Sequence, residues 1–186
     1  KNFEKKDFKL AKSNLLKYLN KNKDYQARNL LGICYLNLEE YLEAANVFKE
    51  LISNKKISDS IYNNYGIALK NLKEFNTAKF YFKQSIKLNK KNYLTHYNLG
   101  NLNLEIGKEK EAEFFFLECL NLQKKYFPAI VNLSKLYLRN YDLDKCLKLL
   151  NNSLDLFPDN NIIIENLVKV FLIRKNYNLA EKYLIK

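Results

Sequence analysis

The chain has 186 residues, 47% of them hydrophobic and 14% aromatic, which is enough for one sizeable core. Only 4 glycines and 2 prolines leave little room for long loops or many strands, and no apolar run approaches the roughly 20 residues of a membrane span. The formal net charge of +12 suits acidic partners, nucleic acid or an anionic surface, but the lysines are scattered over solvent faces, so a general bias toward Lys, Asn, Ile, Tyr and Phe is the simpler reading.

In chain order, residues 1–24 predict one helix whose Phe8, Ala11, Leu15 and Tyr18 share a face. These match Phe75, Ala78, Phe82 and Ser85 further on, so the chain opens on the trailing helix of an incomplete repeat. Five copies of a two-helix unit follow, at 25–58, 59–92, 93–126, 127–160 and 161–186, the last truncated. Gly32, Gly66 and Gly100 stand 34 residues apart. Ala44, Ala78, Ala112, Cys146 and Ala180 keep the same interval, as do Phe48, Phe82, Phe116, Leu150 and Leu184. A fixed period of this size without insertions predicts stacked helix pairs, each copy burying its apolar face on its neighbours. Gly107 is placed in the turn of the third copy, Pro128 beside a helix start and Pro158 after a helix end. Both ends read as cut, so further repeats or another domain are expected to flank the piece.

This pattern resembles the tetratricopeptide repeat. The eighth position reads Gly32, Gly66, Gly100, Ser134 and Val168, the twentieth reads Ala44, Ala78, Ala112, Cys146 and Ala180, and Pro158 alone keeps the family's proline. The fourth position, usually aromatic, reads Arg28, Tyr62, His96, Ile130 and Ile164, a weaker match. The resemblance implies an all-α fold, a right-handed superhelical solenoid of antiparallel helix pairs. It also implies that peptides bind on the concave side, opposite the packing positions of each first helix.

Position 6 on that side reads Leu30, Asn64, Asn98, Asn132 and Asn166. An asparagine amide offers a donor and an acceptor, so a regular row of them can hold a peptide backbone without reading its side chains. The row is similar to the asparagine ladder of the O-GlcNAc transferase and Spindly class of these repeats, although Leu30 departs from it. The other reading is a set of solvated asparagines on an exposed face. Position 9 runs Ile33, Ile67, Asn101, Lys135 and Lys169, and position 13 runs Asn37, Asn71, Glu105, Arg139 and Ile173. Asn101 is placed beside the row, and Lys135, Arg139 and Lys169 would suit an acidic ligand. The family's clamp for chaperone C-termini is excluded, because Asn29 with Ile33, Asn63 with Ile67, and Tyr97 with Asn101 occupy its first pair of positions.

Phe80 and Phe114 fall off the core stripe and are expected to cover a neighbouring helix, the other reading being a small exposed aromatic patch. No catalytic constellation, metal-ligand spacing or cofactor motif is visible, and His96 occupies a packing position. Cys34, Cys119 and Cys146 include no CxxC pair; Cys119 and Cys146 fall where other copies use small residues and read as buried free thiols, which favours a reducing, cytoplasmic setting. Nucleic-acid binding rests on charge alone, and the groove supplies few aromatics for stacking. The expected function is a non-catalytic protein-interaction scaffold for an extended peptide or partner protein. The alternative is the substrate-recruiting module of a larger enzyme, such as a glycosyltransferase or sulfotransferase.

Overall fold

The computed structural model describes residues 2–185, with side chains from residue 5. Among the described residues there are eleven α-helices and no strand. They are α1 (Asn2–Leu19), α2 (Tyr25–Asn37), α3 (Tyr41–Ser53), α4 (Asp59–Asn71), α5 (Phe75–Leu88), α6 (Tyr93–Glu105), α7 (Glu109–Leu122), α8 (Phe127–Arg139), α9 (Leu143–Leu156), α10 (Asn161–Ile173) and α11 (Tyr177–Leu184). The chain divides into two compact units, Lys1–Leu102 and Asn103–Lys186.

Local chemistry sets the helix starts. The Asp24 carboxylate accepts from the N–H groups of Gln26 and Ala27 to cap α2, Ser58 caps α4 through Ile61 N–H, and Asn160 caps α10. Asn92 Oδ1 accepts from Thr95 N–H at the start of α6. Pro128 sits in the first turn of α8, where a missing N–H leaves no helix bond unmade.

The turn inside each pair is equally regular. Glu39, Lys73, Gly107, Tyr141 and Lys175 all have positive φ, between 57° and 75°. In each, the next residue donates its N–H five residues back, to the carbonyls of Tyr35, Leu69, Asn103, Tyr137 and Phe171. This left-handed C-terminal cap turns the chain through a short connection and returns it antiparallel.

In the first unit, α1 packs on α2, α2 pairs with α3, α3 meets α4, and α4 pairs with α5. Its core holds Leu31, Ala44, Phe48, Leu51, Ala68, Ala78 and Phe82. A Cβ on Gly32 would lie 2.7 Å from Phe48 Cζ, and one on Gly66 would lie 2.6 Å from Phe82 Cε1. The glycines therefore seat the two phenylalanine rings against the backbone of the paired helix. Ser85 Oγ donates to Asp59 O at 2.8 Å, and the Asp59 carboxylate accepts from Asn89 and Asn92, tying α5 and the following loop to α4.

The second unit repeats the scheme, with α7 on α8, α8 paired with α9, α9 on α10, and α10 paired with α11. Ala129, Ile130, Leu133, Cys146, Leu150, Ile163, Leu167 and Val170 fill its core. All three cysteines are buried and free. Burial pushes the Cys146 thiol up to about 11, and its sulfur lies 3.7 Å from Ser134 O.

Candidate functional site

The first helix of each repeat carries the positions at issue. In the first unit these helices are α2 and α4, which touch, followed by α6. Asn64 on α4 and Asn98 on α6 are both half-buried. A third amide, Asn63, links them: Asn98 Nδ2 donates to Asn63 Oδ1 at 2.9 Å, and Asn63 Nδ2 donates to Asn64 Oδ1 at a longer 3.4 Å. Asn63 is buried, so its amide is shielded from water and held between two neighbours. Among the described residues, this leaves the Asn64 Nδ2 and the Asn98 Oδ1 without a protein partner. The relay presents one donor end and one acceptor end. Sequence reasoning placed Asn64 and Asn98 but passed over Asn63. The signal was the doublet Asn63–Asn64, which fills positions 5 and 6 with amides in one repeat.

Other asparagines on these helices satisfy their own backbone. Asn37 Nδ2 donates to Ile33 O at 2.8 Å and Asn71 Nδ2 to Ile67 O at 2.9 Å, each one turn back. Asn101, on α6, is half-buried. Leu30 occupies the row's first position on α2 and is exposed.

In the second unit, Asn132 on α8 is half-buried while Lys135 on the same helix is exposed. On α10, Lys169 is exposed, but Asn166 is only 6% exposed, deeper than a groove position implies. Its amide makes no hydrogen bond among the described residues. Arg139 is exposed but already engaged: Nη2 donates to Glu109 Oε1 at 2.8 Å, while Asn140 Nδ2 donates to the other oxygen at 2.8 Å. Its charge is thereby partly neutralised. Of the three cations placed for an acidic ligand, Lys135 and Lys169 alone make no ion pair among the described residues.

A second polar cluster ties α7 to α8 and α9. Glu113 Oε1 accepts from Tyr137 OH at 2.9 Å and from Lys145 Nζ at 2.9 Å. Burial pushes the Glu113 carboxyl up, but the two donors and the ammonium charge outweigh it and hold the group below the usual carboxylate range. The Tyr137 phenol is pushed up, first by burial and then by donating to Glu113. Every member bonds another member, so the cluster is a tie between helices.

Phe80 and Phe114 are more open than a covering role on a neighbouring helix implies, at 53% and 56% exposed, which favours the reading of exposed aromatic surface. Each stands edge-on against its own sequence neighbour, Phe80 on Tyr81 at 5.1 Å and Phe114 on Phe115 at 5.2 Å between ring centres. His96 is buried in its packing position with Nδ1 2.9 Å from Asn92 O. Among the described residues, no three His, Cys, Asp or Glu side chains converge as a metal site would need, and no helix is long and apolar enough to cross a membrane.

The sequence matches no curated protein. The tetratricopeptide repeat family model matches residues 59–92 and 94–126. Solved structures share the fold at low identity. PilF of Pseudomonas aeruginosa is 16% identical, with a TM-score of 0.78 over 97% of this chain and 83% of that one. MamA of Desulfovibrio magneticus RS-1 is 20% identical, with a TM-score of 0.72 over 88% and 93%. YrrB, described as a TPR protein with an unusual peptide-binding site, is 20% identical, with a TM-score of 0.65 over 86% and 83%. Residues 59–92 and 94–126 are therefore tetratricopeptide repeats, and the helix pairs on either side of them share that repeat's fold.

Proposed function

We propose that the chain is a protein-interaction scaffold that binds an extended segment of a partner protein on its first-helix faces. Tetratricopeptide repeats generally serve in protein or peptide binding, and a related fold, YrrB, is described as having a peptide-binding site. The observation that carries the reading is the Asn64–Asn63–Asn98 relay. Its internal bonds fix the amides in place, and its ends keep one donor and one acceptor for a ligand. A peptide backbone offers the complement at every residue, so the same relay suits any side-chain sequence. The row's resemblance to the asparagine-ladder class supports the same reading. In the second unit, Lys135 and Lys169 favour segments that carry acidic side chains. The buried free thiols support a reducing, cytoplasmic setting.

The test is a selection from a displayed library of random linear peptides, followed by titration of the binders. Each lost amide costs about 0.5–1.5 kcal/mol, so Asn64→Ala with Asn98→Ala is expected to weaken neutral and acidic binders alike by about five- to a hundredfold. Circular dichroism checks that the double variant stays folded. Unchanged affinity in a folded double variant would leave the relay as an internal tie with no ligand role.

A further inference from the structure

We propose that the first repeat carries an anchor site for one aliphatic side chain of an acidic peptide, at the start of α2. The proposal rests on the peptide-binding reading and names the ligand class for this part of the face.

Tyr25, Asn29 and Leu30 of α2, Lys56 and Ile57 of the loop between α3 and α4, and Ile61 of α4 surround an open cavity of about 550 Å³. Its apolar wall has no occupant: Leu30 is 53% exposed and Ile57 47%. Leu30 is also the residue that breaks the asparagine row, so here the row exchanges an amide for an apolar surface.

Within this wall sits one unmet polar group. Asn29 Oδ1 is shut off from solvent and has no hydrogen-bond partner among the described residues. Buried acceptors are almost always paired, and an unpaired one is costly. No hydrogen bond among the described residues holds the amide in its present orientation, so it is free to turn about Cβ–Cγ and offer Oδ1 to the cavity that Asn29 lines, with Nδ2 taking the inner place. There the N–H of an extended peptide pairs it while the adjoining side chain enters between Leu30 and Ile57.

The rim selects the charge. Lys55 and Lys56 are exposed and make no ion pair among the described residues, and Lys56 Nζ lies 4.6 Å from the centre of the Tyr25 ring. The nearby carboxylates are committed elsewhere, Asp24 to the N-terminus of α2 and Glu50 to Arg28. Lys55 and Lys56 at the mouth suit a carboxylate beside the anchoring residue.

The probe is an N-acetylated, C-amidated heptapeptide with a central leucine flanked by aspartates, titrated against the whole chain. Matched peptides replace the leucine by serine, replace the aspartates by lysines, or methylate the leucine nitrogen. Ile57→Asp is expected to weaken binding of the parent peptide at least tenfold, and Asn29→Leu about tenfold while raising Tm. N-methylation of the leucine should cost wild type a similar factor and cost Asn29→Leu nothing further. Unchanged affinity in both Ile57→Asp and Asn29→Leu overturns the anchor, whereas an effect of Asn64→Ala with Asn98→Ala in the same series keeps the general reading alive. The converse pattern keeps the anchor and removes the relay. No binding of any probe at millimolar concentration overturns both. Equal affinity for the lysine-flanked peptide overturns the acidic assignment, and a dimer abolished by Ile57→Asp would make the occupant a second copy of the chain.

Discussion

Gly107 and four residues spaced 34 positions apart from it, Glu39, Lys73, Tyr141 and Lys175, share one left-handed backbone state, yet only Gly107 adopts it without a Cβ penalty. The Schellman-type bond that follows each of them, together with the buried faces of the helices it joins, outweighs that local strain. Residue chemistry also sets a pH response. The Glu113 carboxyl is held below its ordinary value of 4.5 by Lys145 and Tyr137 against the upward push of burial. A depressed carboxylate stabilises the fold fully above the unfolded value, and that contribution is lost as pH falls through the folded value. Thermal melts of wild type should therefore drop below about pH 4.5, where the carboxyl begins to protonate in the unfolded chain. Glu113→Gln should melt lower near neutral pH and show a flatter decline under acid. Parallel declines for the two proteins would show that the cluster adds nothing to stability.

At the scale of helix pairs, two glycines decide how closely α2 meets α3 and α4 meets α5. A methyl group at Gly66 would stand 2.6 Å from Cε1 of Phe82, whose ring is wholly buried and cannot swing into solvent. Alanine gains up to about 1 kcal/mol in helix propensity, but overpacking a core costs about 1–3 kcal/mol. Gly66→Ala is thus expected to destabilise by about 1–2 kcal/mol in urea unfolding. A more stable Gly66→Ala would mean that the ring has space to retreat and that propensity dominates.

Across the whole molecule, the charge of +12 does not gather into one continuous block of sequence. Several cations are spent on ties within or between helix pairs: Lys12 with Glu40, Arg28 with Glu50, Arg139 with Glu109, Lys145 with Glu113 and Arg174 with Asp144. These pairs are exposed or half-exposed, so each contributes little to stability. They do change which cations can meet a ligand. Lys135→Ala with Lys169→Ala should weaken acidic peptides and spare neutral ones, with the difference shrinking from 50 mM to 500 mM salt as screening shortens from roughly 14 Å to roughly 4 Å. Arg139→Ala should change much less, because Glu109 already answers its charge. A salt-independent loss would place those lysines in direct packing contact instead.

The sequence by itself determined the all-helical class, the 34-residue period and the aligned small residues in the core. It could do so because each of these depends on local periodicity repeated five times, so chance matches average out. It also placed Asn64, Asn98, Lys135 and Lys169 on their helices. Only the tertiary structure decided what those side chains touch. Asn63 enters the relay, Arg139 is taken by Glu109, Asn166 sinks to 6% exposure, and Phe80 and Phe114 stand in solvent. Those outcomes turn on which neighbour from another helix comes within about 3 Å, and hydrogen bonds lose their strength steeply beyond that distance. A period fixes angle around a helix, whereas the distance to a partner is set by how two helices pack.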